Sequence, residues 1–64
     1  MKKSQIQVGM NVVVTNAPDA TVYQVDCVEG FEAHLIYNTR MGAVSAGWVD
    51  VSRIYKEVKQ TEHN

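Results

Sequence analysis

Few residues in this chain of 64 carry side chains able to do chemistry. Cys27 is the lone cysteine, set between Asp26 and Val28, and His34 and His63 are the two histidines. Ser, His and Asp are all present, yet no Gly-x-Ser-x-Gly turn presents a nucleophile. No pair of carboxylates has an evident acid–base setting, and no glycine-rich loop opens a helix to cradle phosphate. The histidines have no Cys or carboxylate partner at metal-ligand spacing, so both read as solvated side chains and no metal is expected. A single cysteine excludes an internal disulfide and reads as a small buried or half-buried hydrophobe in a reduced compartment. A reactive thiol would need a cation or a helix N-terminus beside it, and neither is visible locally. The chain therefore reads as non-enzymatic, with no cofactor.

What remains is recognition chemistry. Trp48 is the only tryptophan, in "SAGWVDV", and interface centres favour Trp, Tyr and Arg because large rigid groups bury much area with few rotatable bonds. The expected partner-binding set is Tyr37, Arg40, Trp48, Asp50 and Tyr55, with another protein as partner and Trp48 partly exposed. The 38–42 hairpin is expected to bring the rings of Tyr37 and Trp48 side by side with Arg40 at the tip, a proximity that depends on register: counted from a turn centred on Arg40, Tyr37 lies opposite Ala43 and Trp48 falls further along, opposite about Glu32. A bulge at Gly47 would turn Trp48 over. The alternative partner is nucleic acid, held by Arg40, Arg53, Lys56 and Lys59. Against it, six basic and seven acidic residues leave a formal charge of −1, so no global field attracts phosphate. The loop "TNAPDAT" carries no basic residue.

Strands must position these residues. In "MNVVVTN", Met10, Val12 and Val14 alternate with Asn11, Val13 and Thr15, the two-residue period of a half-buried strand. "NAPDA" is a turn by composition. "TVYQVDCVEG" sets Tyr23, Val25 and Cys27 against Val22, Gln24, Asp26 and Val28. After Gly30, "FEAHLIYN" sets Phe31, Ala33, Leu35 and Tyr37 against Glu32, His34, Ile36 and Asn38, so the two runs pair as a hairpin. "NTRMG" turns into a fourth strand, "AVSAGWVDV", where Gly47 marks a bulge or bend. "DVSRIY" reads as a short helical turn capped by Asp50 or Ser52, and "IYKEV" as the last strand. Residues 1–5 are expected to be a flexible start and 59–64 a polar flexible tail, around a domain over 6–58. No apolar run is long enough for a signal peptide or a membrane span, which points to the cytoplasm and to no membrane partner. A chain this small without a staple gains burial by pairing, so a homodimer is expected through outward residues among Val13, Val22, Ile36 and Val44.

"QVGMNVVV" at the entry to the first strand and "VDVSRIY" before the last resemble the small SH3-like barrels, including KOW and Tudor domains and small phage- or plasmid-encoded barrels, over residues 6–58. The resemblance implies an all-β, five-stranded barrel with a short helical turn before the last strand. It also implies that the loops Asn16–Ala20 and Asn38–Gly42, with mouth aromatics, hold a peptide, a modified side chain or nucleic acid. An accessory protein of a phage or other mobile element would suit this size. A Tudor-like cage needs three or four rings round one pocket, whereas Tyr23, Phe31, Tyr37, Trp48 and Tyr55 are spread along the strands. The type II dihydrofolate reductase barrel is similar in size. In "GAVSAGWV", Gly42 and Val44 match its fourth strand, but Ser45, Ala46 and Gly47 replace its pore-lining residues, so its activity is not carried over.

Overall fold

Glycine sets the turns of a three-strand meander formed by β2 (Tyr23–Glu29), β3 (Glu32–Thr39) and β4 (Gly42–Asp50). Glu29 pairs with Glu32, leaving Gly30 and Phe31 as a two-residue loop with Gly30 at φ +60°, the pattern of a type II′ hairpin. At the next reversal Thr39 pairs with Gly42, and the Thr39 hydroxyl accepts from the Met41 amide while donating to the Gly42 carbonyl. The computed structural model describes residues 1–59. Within them, β1 (Asn11–Val13) pairs antiparallel with β2, and β5 (Lys56–Glu57) pairs antiparallel with β1. All five strands form one sheet in the order β4-β3-β2-β1-β5. The sheet is not closed, because β4 and β5 stand at its two ends.

Two single 3-10 turns complete the described chain, η1 (Lys3–Gln5) and η2 (Val51–Arg53). Asp50 caps η2 as the sequence suggests, accepting from the Ser52 amide at 2.9 Å. The first five residues, which composition alone left as a flexible start, carry η1 and the Met1 amine, which donates to the carbonyls of Val51 and Ile54. The tail expected over 59–64 lies outside the described residues except for Lys59. No helix among the described residues is long and apolar enough to cross a membrane.

The core lies on one face of the sheet, where Val12, Val25, Ala33 and Leu35 meet Ile6, Val51 and Ile54. Alternation on β3 is as the sequence suggests, with Ala33 and Leu35 buried and Glu32 exposed. Two strands depart from it. β1 is only three residues long and buries both Val12 and Val13, though only Val12 joins the core cluster. Val13 is therefore not outward, as the pairing expectation allowed. On β2, partners shift between Val25 and Cys27, so Asp26 is an extra residue facing no counterpart. Cys27 consequently leaves the Tyr23–Val25 face to which strict alternation assigned it, and Val28 packs against the core instead.

Candidate functional site

A second bulge lies across β3 from the first. Leu35 pairs with Gly47 but Ile36 pairs with Ser45, so Ala46 is the extra residue on β4, and Gly47 takes φ +91°. Such a φ is open to glycine and strained for other residues, which is why the bulge falls where the sequence has "SAGW". The two bulges bracket His34. The register row across the outer face then reads Cys27, His34, Trp48, with Ser45 one row away and Asp26 beside Cys27.

His34 is held at both nitrogens. Its Nδ1 lies 3.0 Å from Asp26 Oδ2 and its Nε2 lies 2.7 Å from Ser45 Oγ. The Ser45 Oγ also accepts from the Gly47 amide at 3.2 Å, so the bulge fixes the hydroxyl that fixes the ring. The Trp48 indole tilts over the imidazole, with centroids 5.2 Å apart and planes at 43°. With the imidazole neutral, Nδ1–H donates to Asp26 and Nε2 accepts the Ser45 hydroxyl, an order of groups that can draw a proton from serine. Ser45 lines neither of two hollows among the described residues.

One of those hollows adjoins the cluster. It is open, and Glu29, Gly30, Phe31, Glu32 and Trp48 line it. Glu29 pairs with Glu32 and Glu32 with Asp50, so a carboxylate row crosses three strands next to the Cys27–His34–Trp48 row. Phe31 is 68% exposed and Trp48 is 47% exposed, and Phe31 already carries the Lys3 ammonium 5.1 Å from its ring centre. Backbone and hydroxyl donation from Ser52, with Arg53 nearby, holds the Asp50 carboxyl below its ordinary range, so it stays charged.

The structure brings together only part of the expected partner set. Trp48 and Asp50 share this face, and Trp48 is half exposed as expected. Tyr37 is not beside Trp48: it pairs with Val44, faces inward, and meets Tyr23 edge-on at 6.1 Å. The two-residue turn at Arg40 and Met41 sets Tyr37 opposite Val44, and the Ala46 bulge shifts the register by one residue more, so Trp48 pairs with His34 and not with Glu32. Arg40 sits at the far tip of the β3–β4 hairpin, and Tyr55 lies beyond η2, half exposed beneath the Lys56 ammonium. The nucleic-acid set is divided likewise. Arg53 is in η2, while Lys56 and Lys59 line the other hollow with Asn16, Pro18 and Val22. His34 is corrected outright, because it has both a carboxylate and a thiol neighbour, and Asp26, Cys27 and His34 have ligating atoms within 4.8 Å of one another. Sequence spacing hid them: Asp26 and Cys27 share a face only through a bulge that nothing in "YQVDCVE" marks.

No family model matches the chain, and neither a curated protein nor a solved structure matches it.

Proposed function

We propose that this protein is a non-enzymatic binding module whose outer β2–β4 face takes a cationic segment of another protein. The observation that carries this reading is the hollow in which Glu29 and Glu32 stand with the exposed rings of Phe31 and Trp48. Ring faces and carboxylates together suit a lysine or arginine side chain, since the ring quadrupole and the opposite charge act on the same cation. The placement of Lys3 over Phe31 supports it, as an ammonium of the chain itself already uses one of these rings. Trp48 is the anchor, Glu29, Glu32 and Asp50 supply the charge, and Tyr37, Arg40 and Tyr55 lie outside the contact.

The fold reading that accompanies this proposal is an SH3-like barrel left open between β4 and β5. It is supported by β5 pairing with β1 while η2, with Val51 and Ile54 buried, carries the chain from one end of the strand order to the other.

The test is titration with lysine- and arginine-rich peptides, followed by Trp48 fluorescence and repeated with acidic peptides of equal length. Binding of the basic set alone, weakening as salt rises, is expected. Binding of a random-sequence nucleic acid with a steep salt slope, and of no basic peptide, would move the assignment to Arg40, Arg53, Lys56 and Lys59. Sedimentation run alongside reads out the homodimer, for which the edge of β4, unpaired among the described residues, is the available surface.

A further inference from the structure

We propose that Asp26, Cys27 and His34 form a binding site for one divalent transition-metal ion, with zinc as the best match, beside the cation-binding hollow and independent of it. A carboxylate oxygen, a thiol sulfur and an imidazole nitrogen lie within 4.8 Å of one another. In a tetrahedral zinc site, with bonds of about 2.0–2.3 Å, neighbouring ligand atoms stand about 3.3–3.8 Å apart, so the observed spacing closes on a metal by shifts of about 1 Å. The donor set of one sulfur, one nitrogen and one oxygen selects zinc, cobalt or nickel over magnesium and calcium, which take oxygen ligands.

Three features show a site with its geometry already arranged. The β2 bulge turns two consecutive donors, Asp26 and Cys27, to one face, which regular strand alternation forbids. His34 is the register partner of Cys27, so the third donor is fixed by the sheet ladder. On the far side of the ring, Ser45 Oγ lies 2.7 Å from Nε2 and is itself held by the Gly47 amide. With a metal on Nδ1, the Nε2–H donates to that hydroxyl, the outer contact that sets tautomer and ring orientation in metal-bound histidines. The ion takes the place of the hydrogen bond between Nδ1 and Asp26, at 3.0 Å, and any proton on its donor atoms is released on binding. Asp26 is half exposed, leaving the fourth coordination position to water or to a donor from outside the chain.

The experiment is cobalt(II) titration of the reduced full chain, read by the thiolate-to-cobalt charge-transfer absorption and the visible d–d bands. Zinc is then added as competitor. One cobalt per chain is expected, with intense tetrahedral d–d bands that zinc abolishes. Cys27→Ser should remove the charge-transfer band, while Asp26→Asn and His34→Gln should each weaken binding at least tenfold. Ser45→Ala should weaken it about 10- to 100-fold at unchanged stoichiometry. Circular dichroism of each variant without metal confirms the fold, and Asp26→Asn, on the exposed bulge, serves should His34→Gln not fold. Absence of the band in the wild-type chain would overturn the site. So would a band undiminished in both Asp26→Asn and His34→Gln, which would mean adventitious binding to a lone thiol. Half a metal per chain with a dimer mass would overturn the open fourth position.

Discussion

Replacing Gly47 tests the feature on which the whole outer face depends. Its φ of +91° lies in the left-handed region, and a Cβ built there meets no atom within 4 Å. The cost of Gly47→Ala is therefore backbone strain alone. An L-residue forced into left-handed geometry loses about 1–2 kcal/mol, and +91° lies past the centre of that well near +57°, so the upper end applies. Restricting the unfolded chain returns about 0.4–1 kcal/mol, leaving a net loss of about 1–1.5 kcal/mol. For a domain of this size that lowers Tm by about 4–8 °C per kcal/mol. The mirror substitution is decisive, because a 64-residue chain is within reach of chemical synthesis. D-Ala at position 47 prefers positive φ and escapes the strain that the L-residue meets there, so it should match or exceed the wild-type stability. Urea unfolding and thermal melts followed by circular dichroism measure both, with Trp48 emission reporting whether the indole stays over His34. An L-Ala variant as stable as wild type would refute the bulge, and a D-Ala variant as damaged as the L-form would show that positive-φ strain is not what the L-residue loses.

Trp48→Ala should leave a folded protein, since about half of a ring that buries about 150–250 Å² when enclosed is already in water. At about 25 cal/mol per Å² the lost burial is at most about 2–3 kcal/mol, whereas basic-peptide binding should fall at least about 30-fold; an unfolded variant would mark the ring as core. Leu35→Ala acts the other way, emptying a site only 1% exposed at a cost of about 2–5 kcal/mol, enough to unfold much of so small a domain, and a midpoint unchanged in urea would contradict the described core. For Asp50 the folded pKa lies below the unfolded one. Its stabilising cap on η2 is therefore complete above the ordinary carboxylate range and fades as pH falls through the depressed value. Asp50→Ala should lower the urea midpoint at pH 7, and the gap to wild type should narrow in acid; a gap that widens in acid would reverse the assigned sign.

Where one residue follows another in regular alternation, the sequence was enough to place it. Ala33 and Leu35 inside and His34 outside follow from period two, and the turns follow from Gly30 and Gly42, whose positive φ values only glycine takes easily. The β4 irregularity was half legible. Gly47 flagged it, but which residue is extra depends on pairing with β3, a long-range choice that put Trp48 over His34, whereas Tyr37 keeps the face that alternation on β3 gives it with Ala33 and Leu35. The β2 bulge left no trace, since Asp26 and Cys27 fit alternation as well as any polar–apolar pair. The candidate site is built from those two irregularities, and for that reason the residues of highest chemical interest were the least visible.

The same geometry separates folding from function in this small chain. Its stability rests on the inner face, where Val12, Val25 and Leu35 meet Val51 and Ile54 from η2 and its exit, and where the Met1 amine ties the start of the chain to that turn. None of the outer cluster, Asp26, Cys27, His34, Ser45 or Trp48, belongs to the buried set. Yet the cluster is not loose: both imidazole nitrogens are engaged, and Ser45 is pinned to backbone. Groups ordered by the sheet without being required by its core can be exchanged with little loss of fold. A side chain whose removal abolishes binding while the chain stays folded therefore belongs to this face, and one whose removal unfolds the chain belongs to the core.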